Sequence, residues 1–280
     1  MPEGHTLHRV AASLSHHLGG RTVTSTSPQG RFATGAARVD GRPLVSAEAW
    51  GKHVLVGFED VAEHVHVHLG LFGGWKVTVP VMGTEAVPDV VGEVRWRLSG
   101  PGATADLRGP TACELLTPDE VASLLTRLGP DPLRDDSDPE QAWQRISASR
   151  SPLATLLMDQ TVVAGVGNVY RAEVLFRHRL PPFLPGRELD RPTWDAVWAD
   201  LVVLMQDGVQ SGRIDTVRPD HTPEAMGRDQ RVDPHGDEVY VYRRAGMPCL
   251  VCGVSVLTKV VAGRNLFWCP ECQRADRLSP

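Results

Sequence analysis

Residues 153–178 read Leu153-Ala154-Thr155-Leu156-Leu157-Met158-Asp159-Gln160-Thr161-Val162-Val163-Ala164-Gly165-Val166-Gly167-Asn168-Val169-Tyr170-Arg171-Ala172-Glu173-Val174-Leu175-Phe176-Arg177-His178. Apolar residues recur on both sides of the tight turn Ala164-Gly165-Val166-Gly167, which predicts a helix over 153–163, a turn, and a second helix over 168–178. Asn168 stands where an N-cap would, so backbone N–H groups and the positive end of a helix would face whatever docks on the turn. Taken alone, the segment also fits an ordinary helix hairpin.

Upstream, Gly129-Pro130-Asp131-Pro132-Leu133-Arg134-Asp135-Asp136 is dense in Pro and Asp and reads as a linker. Before it the periodicity falls to two, in Val54-Leu55-Val56, His64-Val65-His66-Val67-His68, Trp75-Lys76-Val77-Thr78-Val79 and Val94-Arg95-Trp96-Arg97-Leu98. Short strands broken by Gly, Pro and Asp predict a β-sandwich or barrel between residues 21 and 116. Leu7, Val10, Ala11, Leu14 and Leu18 form the stripe of one helix ahead of these strands. Downstream, Trp194–Gln206 reads as a helix and 211–235 as a long polar, mobile loop.

The 280 residues hold 41% hydrophobic and 22% charged side chains, ordinary values for a globular protein and unlike a disordered tail or a coiled coil. No apolar run approaches the roughly 20 residues of a membrane span, and the first residues lack a basic and an apolar signal region, so a cytoplasmic protein is expected. Net charge is −5, but it is segregated. Residues 181–240 carry 12 acidic and 6 basic side chains, whereas 241–280 carry 6 basic and 2 acidic. A basic end is compatible with DNA or RNA, and equally with a solvated charged face.

Four of the five cysteines form two Cys-x-x-Cys pairs, Cys249/Cys252 and Cys269/Cys272, sixteen residues apart with strand-like sequence between them. Four thiolates on two short turns fit one tetrahedral structural zinc, with Arg264 just before the second pair. Cys113 reads as a small buried hydrophobe. His64, His66 and His68 share a strand face, where a second metal competes with hydrogen-bonded imidazoles, the commoner outcome. At the start, Pro2 permits removal of Met1, leaving a secondary amine beside Glu3. An α-amino group has a pKa of ~7.7–8.0 against ~10.4 for lysine, so more of it is an unprotonated nucleophile near neutral pH.

Pro2-Glu3-Gly4, Gly51-Lys52-His53-Val54-Leu55, the segment Leu157–Glu173 and the finger ending Gly263-Arg264-Asn265-Leu266-Phe267-Trp268-Cys269 occur in this order. Together they resemble the formamidopyrimidine-DNA glycosylase / endonuclease VIII family over nearly the whole chain, and the Pro-Glu-Gly start resembles the endonuclease VIII branch. The resemblance implies an α+β protein with an N-terminal catalytic β-sandwich with flanking helices (1–128), a helix–two-turn–helix DNA-binding domain (129–244) and a C-terminal four-cysteine zinc finger (245–280). It implies a bifunctional DNA glycosylase/AP lyase of base excision repair, removing oxidised bases, pyrimidines foremost, through an N-terminal proline Schiff base and β,δ-elimination. Damaged double-stranded DNA would lie in a cleft between the two halves, with single-stranded and forked DNA as further partners; the enzyme would be a nucleoid-associated monomer.

On the matching positions Pro2 would be the nucleophile at C1′, Glu3 the acid/base partner at the opened sugar, and Lys52 a cation near the phosphate. Asn168 and Arg264 would grip phosphates flanking the flipped nucleotide. Leu71 and Phe72 would fill the vacated stack, and Gly70 stands where the endonuclease VIII branch often carries a larger polar side chain. A protein that binds damaged or abasic DNA without cutting it is the alternative; the presence of Pro2, Glu3 and Lys52 argues against it. A zinc-ribbon nucleic-acid binder would leave the N-terminal half unexplained.

Overall fold

The computed structural model describes residues 2–79, 87–233 and 237–274. Removal of Met1, the loop end at His235 and the last six residues of the finger fall outside them. The chain divides into two compact units, Met1–Arg127 and Leu128–Pro280.

The first unit opens with α1 (Gly4–Leu18), followed by β1 (Thr22–Thr26), α2 (Ala33–Val39), β2 (Arg42–Trp50), β3 (His53–Phe58), β4 (His64–His68), β5 (Gly74–Thr78), β6 (Val94–Gly100), β7 (Ala103–Arg108), β8 (Ala112–Leu116) and α3 (Pro118–Arg127). All strand pairs are antiparallel, in the order β5-β7-β6-β1-β2-β3-β4-β8. The β1–β2 link is short, Thr22 opposite Pro43 and Val23 opposite Arg42, and joins two four-stranded halves. Both halves and the Leu7, Val10, Ala11, Leu14, Leu18 stripe of α1 supply one core. Trp96 is fully buried at its centre, edge-on to Phe32, Phe58 and Trp75, with its indole N–H donated to Ser25 Oγ at 2.9 Å. This is the expected β-sandwich with flanking helices.

The second unit holds α4 (Pro139–Ser147), α5 (Leu153–Leu156), α6 (Asn168–Arg177), α7 (Arg191–Ser211), α8 (Pro223–Met226) and the hairpin β9 (Leu257–Val261) and β10 (Arg264–Trp268). Three expectations change here. The helix expected over 153–163 is the single turn α5, because polar side chains downstream capture the backbone. Asp159 accepts from the Thr161 N–H at 2.9 Å, and Gln160 brackets the turn through Gly165 N–H at 3.0 Å and Val166 O at 2.9 Å. The helix expected over 194–206 runs from 191 to 211, since Asp190 caps it through Thr193 N–H and it ends at Gly212, φ 76°. The segment after it carries a 3₁₀ turn at Pro219–His221 and α8.

The Pro- and Asp-rich stretch expected to be a linker begins as a buried strap. Gly129 N–H donates to Gln160 O at 2.9 Å and Ala164 N–H to Pro130 O at 3.0 Å. A Cβ on Gly129 would stand 2.4–2.6 Å from the backbone of Thr161 and Val162, so only glycine allows this approach. Finger residues Cys249, Val256, Leu266, Phe267, Cys269 and Cys272 belong to the same core as Tyr170, Trp194 and Leu201. No described helix is long and apolar enough to cross a membrane.

Candidate active site

Pro2 and Glu3 lead into α1, with Glu3 at the N-cap in extended backbone, φ −116° and ψ 177°. The Glu3 carbonyl accepts from Thr6 N–H at 2.9 Å and its side chain is fully buried. The positive end of a fifteen-residue helix favours a carboxylate there and works against a cation. His5, in the first turn, is buried, and burial pushes its imidazole down to about 4, with nearby positive charge adding to the effect.

Lys52 is the second residue of the two-residue turn between β2 and β3, closed by the pair Trp50 and His53. Next to it the sequence builds a chain of imidazoles. His53 Nδ1 lies 2.9 Å from His66 Nε2, and His66 Nδ1 lies 3.1 Å from Glu114 Oε1. The His53 ring is stacked on His66 and lies 5.0 Å from His68, its register partner. Burial, then the neighbouring His66 and His68, pushes His53 down to about 3; burial also lowers His68, with His66 and Lys52 contributing. His53, His66 and His68 are thus held by one another and Glu114, whereas His64 stands outside this network, its buried Nδ1 without a hydrogen-bond partner among the described residues. Among the described residues, the cysteine cluster is the group placed to hold a metal.

Acidification is therefore expected to destabilise the first unit. An unfolded histidine takes a proton near pH 6.5, whereas native His5 and His53 resist it down to about 4 and about 3, so stability is lost as pH falls below 6.5. Each site contributes up to roughly 2 kcal/mol at pH 5. Urea midpoints at pH 7, 6 and 5 check this: they should fall, and His53→Gln should flatten the trend. A midpoint rising towards pH 5 would contradict it.

Leu71 and Phe72 lie on the loop between β4 and β5, closed by Gly73 N–H to Leu69 O at 3.0 Å. Leu71 is 41% and Phe72 93% exposed, which separates them from every core role. Gly70 has φ +67°, and a Cβ there would meet Thr111 Oγ1 at 1.8 Å. The left-handed backbone together with that contact is the physical reason for glycine at a position where the resemblance implies a larger side chain.

In the second unit, the N-cap of α6 is Gly167, one position earlier than the expected cap, and Asn168 is the first helical residue. The Asn168 amide donates to Asn265 O at 3.0 Å, while its Oδ1 accepts from Arg171. Arg171 is fully buried and also donates to Ala154 O at 3.1 Å and Asn265 O at 3.4 Å. These bonds fix β10 to the start of α6, and bring Arg264, first residue of β10, to the Asn168 end. The β9–β10 turn is Ala262-Gly263, both with positive φ (48° and 72°), the type I′ pattern.

Sequence reasoning gives Arg171 and Glu173 no role, yet both organise this unit. Glu173 is fully buried, and its carboxylate accepts from the N–H groups of Tyr240, Val241 and Tyr242 at 2.7, 2.9 and 2.8 Å and from the Thr216 hydroxyl at 2.6 Å. Both ends of the 217–239 segment are thereby tied to α6. The available signal was a charged pair inside an otherwise apolar helix, which has to be satisfied by partners far away in sequence.

The four finger thiols lie within 4.8 Å of one another, with Cys249–Cys272 Sγ at 3.9 Å and Cys252–Cys269 at 3.4 Å. Zinc–sulfur bonds of about 2.3 Å in a tetrahedron require sulfurs about 3.8 Å apart, so the residues fit one zinc with no open position.

The fold and these sites define a DNA-repair class: the chain belongs to the formamidopyrimidine-DNA glycosylase / endonuclease VIII family. The Formamidopyrimidine-DNA glycosylase N-terminal domain matches residues 1–112, the H2TH domain of that glycosylase 128–219, and the zinc finger found in FPG and IleRS 246–275. Endonuclease 8 1 of Mycobacterium tuberculosis is 50% identical over 277 residues, covering 98% of this chain and all of that protein. The MutM (Fpg) protein of Thermus thermophilus has the same fold, with TM-score 0.74, 27% identity, and 97% and 98% of the two chains covered. Lactococcus lactis Fpg, in complex with DNA containing N7-benzyl-Fapy-dG, superposes with TM-score 0.74 at 19% identity over 98% of this chain and 100% of that one.

Proposed function

We propose that this chain is a bifunctional DNA glycosylase/AP lyase of base excision repair that acts on oxidised bases, chiefly pyrimidines. The reading rests on one observation above all: a fully buried carboxylate, Glu3, directly after Pro2 at the positive end of α1. The 50% identity to a protein named Endonuclease 8 1 supports the pyrimidine side of the family. The Lactococcus complex, of the same fold, supports DNA as partner. The substrate is damaged duplex, with single-stranded and forked DNA as further substrates, bound by a monomer in the cytoplasm. Residues 1–128 carry the chemistry, 129–244 bind DNA, and 245–280 form the finger.

With Met1 removed, the Pro2 nitrogen attacks C1′, the N-glycosidic bond breaks, and the base leaves with a proton. Glu3 protonates the ring oxygen as the sugar opens, giving an iminium between Pro2 and C1′. The iminium acidifies C2′–H; loss of that proton expels the 3′ phosphate, and a second elimination expels the 5′ phosphate. Lys52 places positive charge near the phosphate. The four cysteines would hold zinc, which supplies a cross-link and no chemistry. Borohydride trapping of a protein–DNA adduct tests the reading. Abasic DNA bound without any trapped adduct would leave a binding protein instead.

Two further outcomes follow from the exposed wedge and from the hairpin. Taking a base out of a duplex and filling its place involves a few kcal/mol, so Phe72→Ala should reduce excision from duplex about tenfold or more, with a smaller loss on single strands. Equal losses on both substrates would remove Phe72 from the stack-filling role. Arg264→Ala should weaken lesion-DNA binding and flatten the log–log salt dependence by about one unit. Asn168→Ala should weaken binding with an unchanged slope, because it releases β10 and removes no charge.

A further inference from the structure

At the C-terminal end of α6, beside the finger, the second unit carries a cavity of about 310 Å³, open to solvent, that the proposed reaction does not use. Three arginines line it. Arg177 is neutralised by a two-point contact with Asp200, at 2.7 Å through both nitrogens, which His178 also shares. Arg179 and Arg218 differ: both are exposed, and neither guanidinium has a hydrogen bond or ion pair with a described residue. Arg179 also sits at φ 55°, in the left-handed region where glycine would be the unstrained choice. The Tyr240 hydroxyl stands in the wall, accepting the Arg218 N–H at 2.8 Å, with His221 Nδ1 at 2.8 Å from it. Phe176 and Val251 supply an apolar side.

We propose that this cavity binds a phosphomonoester of nucleotide size, its phosphate held between the guanidiniums of Arg179 and Arg218. One carboxylate is satisfied by one guanidinium fork. Two unpaired guanidiniums call for a more highly charged, three-oxygen anion, which a terminal phosphate is. Volume decides the rest. A cavity needs only about 10–15 Å³ of such space to admit one water, so about 310 Å³ is more than inorganic phosphate alone would fill. The apolar side then faces the organic part. Arg177 lies nine residues along α6 from Asn168, roughly 14 Å, so this site is distinct from the phosphodiester contact proposed at the Asn168 end and does not depend on it. Cys272 is also in the wall, and a zinc tetrathiolate is anionic, so the competing role of the two arginines is to offset its charge.

The test uses the zinc-loaded full-length protein in phosphate-free buffer, titrated calorimetrically with thymidine 5′-monophosphate, thymidine, and a trinucleotide with and without a 5′ phosphate. The monophosphate is expected to saturate the site and thymidine to bind at least about tenfold more weakly. Arg179→Gly and Arg218→Ala should each weaken the monophosphate about tenfold or more with zinc content unchanged. Arg179→Gly should melt no lower than wild type, since its φ suits glycine. Equal binding of the phosphorylated trinucleotide assigns the site to phosphorylated strand ends; binding of the mononucleotide alone assigns it to free nucleotides. Either supports the proposal. No saturation by a phosphorylated probe up to about 5 mM, undiminished affinity in the double variant, or zinc loss from the arginine variants without phosphate binding by wild type overturns it.

Discussion

Blocking the amine of residue 2 is expected to abolish covalent trapping and lesion excision, a loss on the order of 10³-fold or more, equivalent to roughly 4 kcal/mol of barrier. An uncleaved N-terminal extension does this cleanly, because it turns the proline nitrogen into an amide with no basic lone pair. Pro2→Ala is a weaker test, since a primary amine takes the place of the secondary one. Lys52 is the rival nucleophile, also an amine and also in the first unit. It would have to lose its proton at neutral pH, whereas an α-amine ordinarily titrates about two and a half units lower and has Glu3 beside it. Mass mapping of the adduct separates the two. An adduct on Lys52, or full activity with the N-terminus blocked, would overturn the mechanism and leave the repair assignment standing. Glu3→Gln should bind lesion DNA and excise slowly, while cleavage of preformed abasic sites suffers less because that sugar is already open.

Cys269→Ser, or a strong chelator, is expected to unfold the whole second unit rather than the finger alone. Structural zinc in small fingers contributes about 10–16 kcal/mol, comparable with or larger than the roughly 5–15 kcal/mol that holds an ordinary domain together. Here the finger does not stand apart from the helices. Cys269 is fully buried, and Leu266 and Phe267 share a core with Tyr170 and Trp194. Opening the tetrathiolate therefore exposes the packing face of α6 and releases β10 from Asn168 and Arg171. Zinc analysis, far-ultraviolet helicity and hydrogen exchange resolved by segment provide the check. Residues 1–127, with a core of their own, should keep their protection. Survival of α7 after metal loss would mean that the helices fold without the finger.

What could be read from the sequence follows physical range. The α1 stripe and strands β3 to β6 were legible because period-two and period-3.6 patterns are local. The four-cysteine cluster was legible because its members lie on two tight turns, and the proposed roles of Pro2 and Glu3 need no fold to be suggested, because they rest on their place at the start of the chain. Helix starts are also local signals: Thr117-Pro118-Asp119-Glu120 is a capping box, with Thr117 N–H donated to Glu120 Oε2 at 2.8 Å, and Asp138-Pro139 and Thr222-Pro223 also cap helices. The hubs were out of reach. Glu173 meets residues 216 and 240–242, Arg171 meets 154 and 265, and His66 meets Glu114, all pairings that depend on tertiary structure. The helix over 153–163 is shorter than its apolar spacing predicts for the opposite reason: the turn chemistry of Asp159 and Gln160 is local and outweighs that spacing.

The buried start of the supposed linker has a practical meaning for anyone wishing to open the chain. Composition nominates 129–136 as one interchangeable spacer in which a tag, a protease site or new termini could be placed. Its first half is a poor choice. An insertion between Gly129 and Pro132 would drag on the 160–164 turn that leads into α6, and any side chain at 129 would collide with Val162. Asp135 and Asp136 are exposed, and among the described residues Asp136 pairs only with Arg134, so a cut or graft tolerated there and lethal four residues earlier is the pattern this strap imposes.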